Sequence, residues 1–221
     1  MEIPRDLQTR LQDHLIPGRV LVLYGPRQVG KTTLAHSLLH TTPFRSRFIN
    51  ADELRYREAL ASQDRRKLGE VTAGAELLII DEAQRIPEIG LNLKIIVDSF
   101  PELRILATGS ASFDLANKIS EPLTGRKFTF TLYPISYPEL MHTLGDLETR
   151  HQLDRWLIWG GYPEMITTEN PDLRARKLGE LVGSYLYRDL LELNSIRRAE
   201  KIVDLLRLLA FQIGQEVSIS E

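Results

Sequence analysis

Residues 20–39 limit what this chain can fold into more than any other stretch. The run "VLVLY" at 20–24 is unbroken apolar sequence and ends at Gly25. Gly25-Pro26-Arg27-Gln28-Val29-Gly30-Lys31-Thr32 follows, and then Leu34, Ala35, Leu38 and Leu39 fall on one helical face. A strand, a glycine loop and a helix in this order match the spacing G-x-x-x-x-G-K-[ST]. Glycines let successive backbone N–H groups turn inward around phosphate oxygens. The helix start directs unpaired N–H groups and the positive end of its dipole at the same anion. Lys31 supplies a mobile charge for the outer phosphates, and Thr32 a hydroxyl for Mg2+. The motif thus marks Gly25, Arg27, Gln28, Val29, Gly30, Lys31 and Thr32 as phosphate-loop residues. Thr33 either touches a phosphate or simply begins the helix.

Three more short apolar runs read as strands covered on both faces: "RFIN" ending at Asn50, "LLII" before Asp81, and "RILAT" ending at Thr108. Helical patterns lie between them, one of which carries Ile89, Leu93, Ile96 and Phe100 and is stopped by Pro101. A fifth run, "KFTFTL", alternates Phe128, Phe130 and Leu132, the pattern of an edge strand with one wetter face. Strands alternating with helices predict an α/β fold with a parallel sheet and right-handed crossovers. Ligands of such sheets bind at the C-terminal ends of the strands. Gly25, Asp81 and Thr108 all lie just past such ends, so three separate stretches converge on one edge.

"ELLIIDEAQ" ends its strand with adjacent carboxylates, Asp81 and Glu82. Beside a phosphate loop, the Asp side chain can hold Mg2+ opposite Thr32, and the Glu can orient and polarise an attacking water. An acidic helix cap would use the same residue types. The pair also narrows the class. A GTPase would carry N-K-x-D, and "NKIS" at 117–120 has Ser120 where Asp is needed. A small-molecule kinase has less use for a water-activating Glu beside the metal Asp. "DEAQ" brings helicases to mind, but two motor domains do not fit in 221 residues. In "ATGSAS", Thr108 and Ser110 are candidates to sense the terminal phosphate or position water; a turn at Gly109 capped by Ser110 is the competing explanation. Arg126 stands just before the fifth strand, where it is either an ordinary ion-paired arginine or a finger reaching a neighbour's phosphate.

Composition is that of a globular chain, 43% hydrophobic and 26% charged, long enough for one large domain or one with a small appendage. A net charge of −2 offers no global field for nucleic acid. There is no Cys, which excludes disulfides and thiolate metal sites and fits a reducing cytosol. The N-terminus has no uninterrupted apolar h-region, so no secretory signal is read, and no apolar run approaches a membrane span. After "LYPISYPEL" the pattern becomes mostly helical up to Leu209, with Leu178, Leu181, Val182, Tyr185 and Leu186 at helical spacing. The expected organisation is a core at 1–143, a helical lid at 144–209, and the start of a further region at 210–221. In that last stretch Leu205, Leu206, Leu209 and Ile213 share a stripe, and Ser220 is placed to cap a next helix.

Spread over nearly the whole chain, "LYGPRQVGKTTL", "INADE", "LLIIDEAQ", "ATGSAS", "LTGRKFTFTLYPISYPEL", "WGGYPE" and "YLYRDLLEL" resemble a prokaryotic AAA-type P-loop ATPase of the kind that carries a C-terminal domain of unknown function. The resemblance implies an AAA-type core with a helical lid, ATP as the nucleotide, and self-association. It strengthens Arg126, because such ATPases often place a finger arginine immediately before the last core strand. It also implies that Gly160, Gly161 and Pro163 belong to a lid motif abutting the nucleotide, although a helix-breaking turn uses the same residues. Arg188 fits a phosphate-sensing lid arginine or a partner of Asp189 or Glu192. Members usually continue well beyond this length, so a fragment or a shortened relative is expected, with any nucleic-acid binding outside this part of the chain.

The expected activity is Mg2+-dependent ATP hydrolysis in the cytoplasm. Lys31 and the loop bind phosphate, Thr32 and Asp81 hold the metal, and Glu82 activates water, assisted by Ser110 and Arg126. The alternatives are a regulatory ATP-binding switch with negligible turnover, or a DNA-associated motor or loader. The protein partner is open.

Overall fold

The computed structural model describes residues 3–110, 122–183 and 199–213, with the side chains at 199, 200, 202 and 203 excepted. Arg188, Tyr185, Leu186 and Ser220 lie outside the described residues. The chain divides into two compact units, Met1–Lys177 and Leu178–Glu221. The expected lid at 144–209 takes in parts of both.

The first unit is built on five parallel strands: β1 (Val20–Gly25), β2 (Ser46–Asn50), β3 (Leu77–Asp81), β4 (Arg104–Ser110) and β5 (Lys127–Thr131), in the order β2-β3-β4-β1-β5. All five were read as strands from their apolar pattern. β5 is an edge strand, as its alternation predicts: Phe130 is buried while Thr129 and Thr131 are exposed. Side chains alternate between the two sheet faces along each strand. Val20, Val22, Leu78, Ile80, Ile105 and Ala107 therefore pack on one face, against the helices α3 (Leu54–Leu60), α4 (Arg65–Thr72) and α5 (Ile89–Ser99). Leu21, Leu23, Leu77, Ile79 and Leu106 pack on the other, against α1 (Leu7–Asp13) and α2 (Lys31–Thr41). The expected stripe Ile89, Leu93, Ile96 of α5 is fully buried.

Past β5 the first unit is helical: α6 (Tyr137–Leu144), α7 (Asp146–His151), α8 (Leu153–Trp159) and α9 (Pro163–Thr167), followed by α10 (Pro171–Leu181), which runs across the division between the units. α6 opens with a capping box, in which Ser136 accepts from the Glu139 N–H and Glu139 accepts from the Ser136 N–H. Ile135, Leu140 and Ile166 form a small separate core, joined by Ile3 from the N-terminal segment. In the second unit, α11 (Ala199–Phe211) leaves Leu205, Leu208 and Leu209 exposed within the described residues. No helix of the described residues is long and apolar enough to cross a membrane.

The candidate nucleotide site

The strand order decides what lies next to the glycine loop. β1 is flanked by β4 and β5, so β4 separates the loop strand from the strand that ends in Asp81. The register places Gly25 opposite Ser110 and Leu23 opposite Thr108. The C-terminal ends of β1, β4 and β3 thus form a row, and α2 starts above it.

The loop leaves β1 at Gly25 and enters α2 at Lys31, with Gly30 as the helix cap at φ 99°. Gln28 is a second residue in the left-handed region, at φ 59°. Lys31 is 5% exposed, and its ammonium curls back to donate to the carbonyls of Gly25 (3.0 Å) and Pro26 (2.8 Å). The side chain thus lies along the loop itself, among the residues that the motif assigns to phosphate.

Thr32 is brought directly to Asp81: its hydroxyl donates to one carboxylate oxygen at 2.8 Å. The Thr108 hydroxyl donates to the other carboxylate oxygen and accepts from the Glu82 N–H at 3.3 Å. Glu82 stands at φ 56°, ψ 39°, a left-handed conformation that costs a non-glycine residue about 1 kcal/mol or more. The surrounding contacts hold it there, and the Gln84 amide donates to its carboxylate. Residues from α2, β3, β4 and the short 3-10 turn at Ala83–Arg85 therefore form one hydrogen-bonded chain. Thr32 and Asp81 offer hard oxygen ligands at the mouth of the loop. No group of three or more His, Cys, Asp or Glu that could hold a metal occurs among the described residues. A cation here would take one hydroxyl and one carboxylate from the protein and complete its shell from phosphate and water. That donor set suits Mg2+.

Of the two hydroxyls in "ATGSAS", Thr108 makes the contacts to Asp81 and Glu82, while buried Ser110 sits one strand repeat further, beside Gly25. Arg126 is not brought to this row. It precedes β5 at the opposite, N-terminal edge of the sheet, where its backbone carbonyl accepts from the Val20 N–H and its guanidinium pairs with Asp98. The length of β1 separates it from the loop of its own chain, about 16 Å at the usual rise per strand residue.

A cavity of about 230 Å³ opens beside the loop, between Val29, Thr33 and Leu34, the N-terminal Ile3 and Pro4, and Pro163 of α9. Pro163 and exposed Thr33 thus face one space with the loop. Gly161 serves another purpose. Its carbonyl accepts from the Ile135 N–H at 2.7 Å, and a Cβ at this position would press into the Ile135 carbonyl. Only a glycine lets the chain entering α9 lie against the chain leaving β5. Gly161→Ala is accordingly expected to cost about 1–3 kcal/mol, the usual range for forcing extra atoms into a packed site. Urea unfolding reads this; wild-type stability would show that the close approach is dispensable.

Two residues here carry no signal in the sequence pattern. Gln84 lies in "DEAQ" but has no motif role of its own. Arg5 stands alone in the N-terminal segment, yet it reaches the Val29 carbonyl at 3.0 Å and the Glu139 carboxylate at 3.0 Å.

Comparison with known proteins bears on the family and the fold. Residues 17–141 match the model of a family described as an AAA domain, and residues 150–221 match a domain of unknown function, DUF8612. The uncharacterized protein MJ1544 of Methanocaldococcus jannaschii is 26% identical over 99% of this chain and 52% of its own length. The uncharacterized protein Rv2008c of Mycobacterium tuberculosis is 31% identical over 86% of this chain and 40% of its own. The chain therefore spans about half or less of these relatives. Among solved structures, the Signal Transduction ATPase with Numerous Domains protein PH0952 of Pyrococcus horikoshii, which has a tetratricopeptide repeat sensor, covers 82% of this chain and 33% of its own length. Its TM-score is 0.51 at 12% identity, a likeness of fold alone. With a glycine loop, a parallel sheet in this order and a family match over more than half of its length, the chain belongs to the AAA domain family of P-loop ATPases.

Proposed function

We propose that this chain binds ATP together with Mg2+ and hydrolyses it to ADP and phosphate. The observation that carries the reading is the hydrogen-bonded chain Thr32–Asp81–Thr108–Glu82 at the mouth of the loop. In it, the residues that a metal-nucleotide site needs already lie within contact of one another. When bound, Mg2+ would neutralise charge on the outer phosphates. The protein's own tasks are separate. The loop N–H groups and Lys31 bind phosphate, while Thr32 and Asp81 hold the cation. Thr108 keeps Asp81 oriented. Glu82 takes a proton from the attacking water. The cavity beside Val29 and Pro163 is the seat for the base and sugar. Phosphate release measured alongside nucleotide affinity tests the reading on the chain as it is. Tight ATP binding with no phosphate release would favour the switch reading instead, which one contact supports: the Glu82 carboxylate is already engaged by Gln84.

Arg126 enters this proposal only from a neighbouring molecule, since its own loop lies at the other end of the sheet. Arg126→Ala is then expected to bind ATP normally and hydrolyse it poorly. Mixing it with Glu82→Gln is expected to restore part of the activity, because a mixed interface can pair an intact arginine with an intact glutamate. Steady-state phosphate release against mixing ratio measures this. Full activity of Arg126→Ala at every protein concentration would remove the finger role.

A further inference from the structure

Arg5 joins three parts of the chain through one planar group. Nη1 donates to the Val29 carbonyl in the glycine loop (3.0 Å), Nη2 to the Tyr133 carbonyl past β5 (2.6 Å), and Nε to Glu139 of α6 (3.0 Å). The two side chains are 11% and 6% exposed. Glu139 also accepts from the N–H groups of Asp6 (3.0 Å) and Ser136 (2.8 Å) and from the Ser136 hydroxyl (3.1 Å). Burial alone would raise its pKa, but the hydrogen bond from the Ser136 N–H and the Arg5 charge outweigh it and hold the carboxyl below the usual range. The carboxylate is therefore ionised near neutral pH and fixed in direction, and it fixes the guanidinium in turn.

The Val29 carbonyl shares a peptide plane with the Gly30 N–H. In a trans peptide the two point in opposite directions. A donor that holds the carbonyl from outside therefore turns the N–H to the inner side of the loop. Gly30 sits at φ 99°, and a glycine peptide left untethered has more than one accessible orientation. We propose that Arg5 is a positioning residue for the phosphate loop: by gripping the Val29 carbonyl it aims the Gly30 N–H at the inner phosphates of a bound nucleotide, and through Glu139 it ties that aim to α6. This rests on the reading of the loop as a nucleotide site. A lysine cannot replace the arginine, because one ammonium has no rigid fork to serve three acceptors.

The test uses the 221-residue chain, Arg5→Lys, Glu139→Gln and the double variant. ADP, inorganic pyrophosphate and adenosine are each titrated in competition with a fluorescent ADP analogue, and unfolding is recorded without ligand. Arg5→Lys is expected to weaken ADP and pyrophosphate about tenfold, the worth of one well-aimed hydrogen bond. Adenosine is expected to weaken by clearly less, through the part of Arg5 that lines the cavity beside the loop. The unfolding temperature is lowered by the hydrogen bonds lost, but the chain is still folded at the titration temperature. Glu139→Gln, which keeps the shape, is expected to show the same selective loss to a smaller degree. The double variant is expected to be no worse than Arg5→Lys, since both changes release one grip. Should Arg5→Lys unfold, Glu139→Gln carries the same selective readout. Wild-type ADP affinity in Arg5→Lys overturns the inference. Equal loss of ADP and adenosine also overturns it, because Arg5 would then act only through the cavity wall or the fold. Additive losses in the double variant remove the tie to α6. A wild-type chain that binds no ADP removes the nucleotide reading itself, a result distinct from all of these.

Discussion

Lys31→Ala is expected to lose nearly all affinity for ATP and ADP while the chain stays folded. The lysine opens α2 and its ammonium lies along the loop, on the carbonyls of Gly25 and Pro26. A bound phosphate would draw it from those carbonyls. What the variant cannot replace is the charge. A unit pair about 4 Å apart at an effective dielectric near 20 is worth ~4 kcal/mol, or roughly a thousandfold in affinity. The aliphatic stem is close-packed at 5% exposure, so some stability is lost as well. Isothermal titration beside thermal unfolding separates the two effects. A folded Lys31→Ala chain with wild-type ATP affinity would move the site away from this loop.

Glu82→Gln is expected to give the largest loss of turnover with the least loss of binding. The amide keeps the size of the carboxylate and its place after Asp81, but it cannot accept a proton. General-base assistance is typically worth ~10²- to 10⁴-fold, so phosphate release should fall at least a hundredfold. Nucleotide affinity should hold, since Glu82 takes no part in the Thr32–Asp81 contact. The strained backbone at φ 56° is unchanged by the substitution and should not confound the result. Single-turnover phosphate release with bound ATP quantified beforehand is the measurement. Unchanged turnover would reduce Glu82 to the residue that starts the 3-10 turn at Ala83–Arg85.

Much of this was written locally in the chain. The loop motif, the continuous apolar runs of β1 and β3, and the alternation of β5 depend on spacing within a few residues. Periodicity reports such spacing directly, because backbone geometry repeats every two residues in a strand and every 3.6 in a helix. Asp81 and Glu82 were legible for the same reason: they end a buried run, and a parallel sheet puts such ends at its ligand edge.

Tertiary structure decided what depends on distance along the chain. Thr108 and Ser110 both present hydroxyls on one side of β4, and only the insertion of β4 between β3 and β1 brings Thr108 to Asp81. From the sequence Arg126 is only a residue just before the fifth strand, and the parallel pairing of β5 with β1 is what puts it at the N-terminal ends of the strands, away from the loop of its own chain. Gly161 reads as a turn, and the carbonyl of Ile135 is what forbids a side chain there. Arg5 is the clearest case. Its partner Glu139 is 134 residues away and the loop carbonyl it grips belongs to Val29. No periodicity couples such positions: a hydrogen-bonding fork is matched to its acceptors by the packed backbone, and the sequence carries that match only through the whole fold.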